Sequence, residues 1–190
     1  MKPPPVVRTM SGLRPKGKGA PMNVFWLRVL FAALLLGAGA YIVGTADALP
    51  AVIATQFGIG GGPVSWMSRD GYLIFMLCFA VGLPLLIVAI IAWLLRRFPD
   101  RVNIPNRNHW LAPERRDASL AFLHALFLAI ACLIVAFMAG LHWLVLRSNG
   151  SGPPQLDYGL LLTLAGVFLV AEGLCMLAMV RRFGRRPGAG

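Results

Sequence analysis

Four long apolar runs separated by short polar segments set the pattern of this chain. They cover about residues 24–44, 72–95, 119–146 and 159–180. Each reaches the ~20 residues that an α-helix needs to cross a ~30 Å hydrocarbon core. The pattern predicts an all-α membrane protein, a bundle of four transmembrane helices occupying residues 23–182. Residues 1–22 carry Pro3-Pro4-Pro5 and alternating Lys and Gly, so they are expected to be a disordered tail; 183–190 form a second tail. Ala46-Asp47-Ala48 resembles a leader cleavage site, but the run before it is longer than a usual leader core, so the first span is read as retained.

Small residues recur within the runs. Ala33, Gly37, Ala40 and Gly44 mark the first span, and Ala118, Ala125, Cys132 and Ala139 the third. Gly159, Gly166 and Gly173 repeat every seven residues in the fourth. Such stripes let helices approach closely in lipid, and the glycine stripe of the fourth span is expected to pack in the bundle or its oligomer. Gly82-Leu83-Pro84 predicts a kink midway along the second span. Ser68 is placed to cap that helix, and Pro113 to open the third, which should continue through Leu146.

The connections are read as loops. Segment 46–71 contains Gly60-Gly61-Gly62-Pro63, which lacks the Gly-Lys-Ser/Thr ending of a phosphate loop and reads as a turn. Segment 147–158 is another turn, in which Asn149-Gly150-Ser151 matches a glycosylation acceptor by its short pattern alone. The middle connection, Asn103 to Arg116, is the most varied polar stretch in the chain, and Asn106-Arg107-Asn108 is expected to turn it.

Charge then orients the bundle. Of the 18 Lys and Arg, 16 lie in the N-terminal segment, the middle loop and the C-terminal tail, against Arg69 and Arg147 in the other two loops. The positive-inside rule places both termini and the middle loop in the cytoplasm. Trp26, Trp93 and Trp110 fall at one interface and Trp66 and Trp143 at the other. The net charge of +11 follows span ends, where it meets anionic headgroups, and no aromatic-basic patch points to nucleic acid.

Three intramembrane polar residues are candidates for chemistry: His124, His142 and Glu172. Intramembrane carboxylates mark a pathway or a paired site. Counted from Arg181 and Arg116, Glu172 and His124 sit at about 13 and 12 Å, so they are expected at one depth and in hydrogen-bond contact. His142 lies five turns from His124, too far for a shared metal, and reads as an interfacial residue beside Trp143. Cys78, Cys132 and Cys175 all fall inside apolar runs without metal-ligand spacing. No cofactor is implied.

Leu49-Pro50, then Thr55-Gln56-Phe57-Gly58, a Gly-Pro and Trp66-Met67-Ser68 resemble the opening signature of a bacterial membrane family of unknown function. That family shares this segment with SdpI-type immunity proteins. Asn103-Ile104-Pro105-Asn106 with Trp110 is similar to the family's middle-loop motif. The resemblance covers roughly residues 24–116. Gln56 stands where the family usually has His, so no titrating or metal role carries over to it.

The resemblance implies a non-enzymatic protein of the bacterial inner membrane, acting by binding through loops 46–71 and 103–116. The binding candidates are Gln56, Phe57 and Trp66 in the first, and Asn103, Pro105, Asn106, His109, Trp110 and Glu114 in the second. A peptide, a membrane protein or a second copy of the chain is a compatible partner. The alternative is a small transporter, or transporter subunit, that uses Glu172.

Overall fold

The computed structural model describes residues 24–150 and 152–184. The expected disorder of 1–22 and most of the C-terminal tail lie outside the described residues. The fold is mostly helical, 74% of it, with a small two-stranded sheet. Four helices are long and apolar enough to cross a membrane: Val24–Gly44 (α1), Arg69–Arg97, Arg116–Ser148 (α5) and Tyr158–Phe183 (α6). That is the architecture of a multi-pass membrane protein. The connectivity gives the bundle a hairpin end, with Arg69 and Arg147, and a basic end, where α1 begins and α6 stops.

The second span is composite. α2 (Arg69–Leu77) passes through a π-turn at Cys78–Gly82 into α3 (Leu83–Arg97). Pro84 has no N–H, and its ring crowds the carbonyl four residues back, so the helix widens by one residue just before it. The widened bond runs from the Leu83 N–H to the Cys78 carbonyl. Ser68 caps α2 as expected, accepting from the Gly71 N–H at 3.2 Å.

α5 is the hub. In its most apolar window 39% is buried, against 17% in each of the first two spans and none in α6. α1 packs on it through Phe31 and Ala38 against Leu128, Ala131, Cys132 and Val135. The small-residue stripe of α5 is therefore a contact surface, with Ala125 and Cys132 buried. α6 packs on it antiparallel: Phe137 stacks on Phe168 at 4.5 Å, and Leu164 nests over Gly140.

The other two stripes turn outward. Ala33, Gly37, Ala40 and Gly44 of α1 are exposed, and so are Gly159, Gly166 and Gly173 of α6. A Cβ built at Gly37, Gly44, Gly166 or Gly173 meets nothing within 4 Å. The small residues are there, but no helix of the bundle covers them.

The first connection is structured. After a 3-10 turn at Ala46–Ala48, strands β1 (Val52–Phe57) and β2 (Pro63–Ser68) form an antiparallel hairpin. Ala54 faces Trp66 and Gln56 faces Ser65, so Thr55 is the extra residue of a bulge. The glycine run makes the turn, as expected. Gly61 has φ 78°, and a Cβ there would lie 3.1 Å from the Leu156 carbonyl. The middle connection holds a 3-10 turn at Pro99–Arg101 and a one-turn helix, α4 (Arg107–Trp110). Pro113 does not open α5: Pro113–Arg115 forms a turn, and α5 starts at Arg116.

These contacts reverse the weight given to the glycines. Gly140→Leu would drive a side chain into Leu164, whose Cδ1 already lies 2.8 Å from an added Cβ. We expect a loss of about 1–3 kcal/mol, as for other overpacked sites, read as a lower unfolding midpoint in detergent. Gly166→Leu should leave the midpoint of the monomer unchanged; a larger loss there than at Gly140 would show that the stripe is internal.

Candidate functional site

The polar core lies at the hairpin end, where His142 is fully buried. Its Nε2 is 2.8 Å from Thr45 Oγ1 on the α1 exit, and its Nδ1 is 2.9 Å from the Tyr72 hydroxyl on α2. The Thr45 hydroxyl donates to the Tyr41 carbonyl at 2.7 Å. Its one proton is thereby used, so it accepts from His142 Nε2–H, which leaves Nδ1 to accept from Tyr72. The hydrogen bonds run in one direction through three spans: Tyr72 to His142 to Thr45 to Tyr41. Tyr72 also stacks on the imidazole at 5.8 Å, and Tyr41 meets it edge-on at 5.2 Å. His142 is thus a buried tie between three spans, while its neighbour Trp143 is exposed.

Asn149 fastens the hairpin. Its Oδ1 accepts from the Ala54 N–H at 2.8 Å, and its Nδ2 donates to the Ala54 and Val145 carbonyls, each at 3.0 Å. The side-chain amide thus pairs with Ala54 as a neighbouring strand would, at the end of α5. Asn149 is buried, with its amide occupied by these bonds. Tyr158 adds a second fastening by donating to the Gly58 carbonyl. The Leu156 N–H donates to the Gly61 carbonyl at 3.0 Å.

A cleft of about 760 Å³ lies under this hairpin. Thr55, Gln56 and Phe57 form its roof; Tyr72, Phe75 and Phe79 one wall; Met138, Leu141 and Val145 the back; Tyr158 and Leu161 the other wall. Aromatic and methionine side chains dominate, which suits an adaptable apolar contact. Phe75 and Phe79 line it and remain exposed at 44% and 43%. Gln56 and Phe57 belong to this cleft, whereas Trp66 lies exposed on β2 and does not line it.

The middle loop packs against the end of α6. Asn106 Nδ2 donates to the Phe183 carbonyl at 3.1 Å, and Trp110 Nε1 donates to the same oxygen at 3.2 Å. Phe183 is fully buried among Ile104, Leu123 and Trp110. Ser119 Oγ donates to the Trp110 carbonyl at 2.9 Å. The loop therefore caps the end of α6, and Trp110 is half-buried in this cluster. Asn106 adopts φ 52°, the left-handed turn that Asn tolerates. Asn103, Pro105 and Glu114 are exposed; His109 is half-buried against Trp110, with Arg115 at 2.8 Å.

His124 and Glu172 do not pair. Arg28 lies 3.3 Å from His124 Nδ1, and Glu172 Oε1 is buried with no hydrogen-bond partner. The contacts Phe137–Phe168 and Phe122–Arg182 fix the α5–α6 register. They put Glu172 near the level of Leu133 and His124 near that of Val180. The two side chains are thus separated by about 12 Å along the bundle. Among the described residues no three His, Cys, Asp or Glu come together as metal ligands.

Sequence reasoning missed Thr45, Tyr72, Asn149 and Tyr158. All four stand at span boundaries, where a hydroxyl or amide looks like loop chemistry, and only tertiary contact shows its partner. No family model matches the chain, and neither curated proteins nor solved structures give a match.

His142→Phe would leave the Tyr72 hydroxyl buried without an acceptor, a loss of about 1–3 kcal/mol. Adding Tyr72→Phe should recover most of that loss, because removing both partners leaves no orphan. Additive losses in a thermal-unfolding cycle would show that the bond is not made. Asn149→Ala removes the acceptor of the Ala54 N–H as well as the donor to its carbonyl, and hydrogen exchange at the Ala54 amide should accelerate while α5 stays protected.

Proposed function

We propose that this chain is a non-enzymatic membrane binding protein that takes an apolar chain from the bilayer into the cleft beneath its hairpin. The cleft's 760 Å³ and its aromatic and methionine lining carry the reading. Thr55 and Gln56 at the roof supply the polar contacts for the head of an amphiphile. A peptide or membrane-protein partner would meet the hairpin beside the cleft through Trp66 and Met67, both exposed. Kinship with the SdpI-type immunity proteins belongs to this proposal and rests on the two motifs. Support comes from what those residues do: Leu49 is buried in the hairpin-end core, and Asn106 and Trp110 clamp Phe183. The orientation follows the charge asymmetry, with the basic end and both termini in the cytoplasm of a bacterial cell.

A second reading is transport, favoured by one observation: the buried, unpartnered Oε1 of Glu172. Flux in proteoliposomes that disappears in Glu172→Gln would select it over the binding protein.

The binding reading is tested with phospholipid carrying a photoreactive acyl chain. Labelling should concentrate on peptides containing Phe79 and Met138. Leu141→Trp, which fills the cleft, should reduce it about tenfold, equivalent to ~1.4 kcal/mol. Leu169→Trp on the exposed face of α6 should not. Labelling spread evenly around the bundle would reject the site. For orientation, a cysteine at Gly60 should react with an impermeant reagent from outside the cell, and one at Asn108 only after permeabilisation.

A further inference from the structure

The basic end holds a separate cleft of about 480 Å³ between α3 and α5. Arg96 of α3 and Arg116, Asp117, Leu120 and His124 of α5 line it. Arg28 reaches the same imidazole from α1, with its guanidinium nitrogen 3.3 Å from His124 Nδ1. A guanidinium has only donors, so Nδ1 accepts and the ring proton of a neutral imidazole sits on Nε2. His124 is then a donor in its own right.

Two carboxylates stand nearby. Asp100 is held by Arg116 at 3.0 Å. Asp117 lies in the first turn of α5, where a negative charge complements the helix dipole. Among the described residues the ion pairs are Arg69–Asp47 and Arg116–Asp100, so no carboxylate pairs with Arg28 or Arg96. Arg96 lines the cleft and Arg28 reaches its His124 from another helix, and neither is held in an ion pair; their like charges repel, and an anion would offset that cost beyond what Asp117, the carboxylate in the lining, supplies. The cleft sits where α3 ends and α5 begins, and Ala92, Leu95 and Leu120 make part of its lining apolar.

We propose that this cleft binds a phosphate group. Arg28, Arg96 and Arg116 supply charge and planar donors, and His124 Nε2–H supplies one directed hydrogen bond. A phospholipid headgroup and a soluble phosphorylated compound share this chemistry. The site is independent of the hairpin cleft and stands or falls separately from it.

The test uses the full chain in maltoside micelles, free of phosphate, titrated with phosphatidylglycerol or with inorganic pyrophosphate. Thermal unfolding and native mass spectrometry report binding. One of the two ligands should stabilise the protein saturably. Saturation with the lipid alone identifies a headgroup site, and saturation with pyrophosphate identifies a site for soluble phosphate compounds. The double variant Arg28→Gln, Arg96→Gln should bind that ligand at least about tenfold more weakly, as expected for lost charge-assisted hydrogen bonds. Arg97→Gln with Arg101→Gln removes equal charge outside the cleft, where both side chains lie over Phe98. It should change affinity by less than about twofold, the scale of exposed surface charges. If the Arg28/Arg96 variant does not fold, His124→Phe replaces it under the same criterion. Failure of both ligands to saturate, or an equal loss in the Arg97/Arg101 control, overturns the proposal.

Discussion

The tie through His142 is the contact on which the hairpin end depends. In a bilayer, lipid tails compete with apolar side chains for every helix face, so burial alone gives little preference for one helix neighbour over another. A directed chain of hydrogen bonds does. Tyr72, His142 and Thr45 sit on three different spans, and each uses its donor or acceptor on the next. The ring cannot rotate by half a turn without losing both bonds. It thereby fixes the rotation of α5 relative to α1 and α2, and with it the positions of Ile42, Met76 and Ala80 in the surrounding core. Interhelical bonds of this kind average only ~0.6 kcal/mol each. Their value here is in selecting one arrangement from several of similar packing energy.

The same device closes both ends of the bundle. A helix end leaves carbonyl groups without partners, and this chain meets them with side-chain amides and ring N–H groups from connecting segments. Asn149 satisfies Val145 while pairing with Ala54, so the end of α5 and the strand are fixed by one side chain. Asn106 and Trp110 converge on the Phe183 carbonyl, so the end of α6 is fixed by the middle loop. At the start of α6, Asp157 accepts from the Leu160 N–H at 3.1 Å. The connections thus act as structural clips, and Asn106 and Trp110 of the middle-loop motif hold the fold together.

Hydropathy alone made the four spans legible, because hydrocarbon thickness leaves few alternatives for runs of this length. The hairpin was less so. Its strands carry β-branched residues, Val52, Ile53 and Thr55, but Gly and Pro are dense enough to read as loop, and the bulge at Thr55 breaks the alternation. Small-residue stripes were legible as pattern and not as contact. One stripe packs on α1, while the other two face outward, and nothing in the spacing distinguishes these cases. Counting depth from arginines failed for a specific reason. Arg182 reaches the Ala118 carbonyl and lies over Phe122, so Arg181 is level with Leu123 and not with Arg116. Nearly two turns of α5 extend past the level of the α6 anchor, and the apparent match between His124 and Glu172 disappears with them.

The position of α6 follows from these clips more than from its sides. Of its length, the face toward α5 makes the helix contact, through Leu164 over Gly140 and Phe168 on Phe137. The rest of its perimeter, including Leu162, Val167, Leu169 and Val170, is exposed. Its start is tied to the hairpin by Tyr158 and its end to the middle loop by Phe183. Tyr158 and Leu161 are also a wall of the hairpin cleft. That wall is held to the hairpin by the hydrogen bonds from Tyr158 and from the Leu156 N–H, and to α5 by the packing seam.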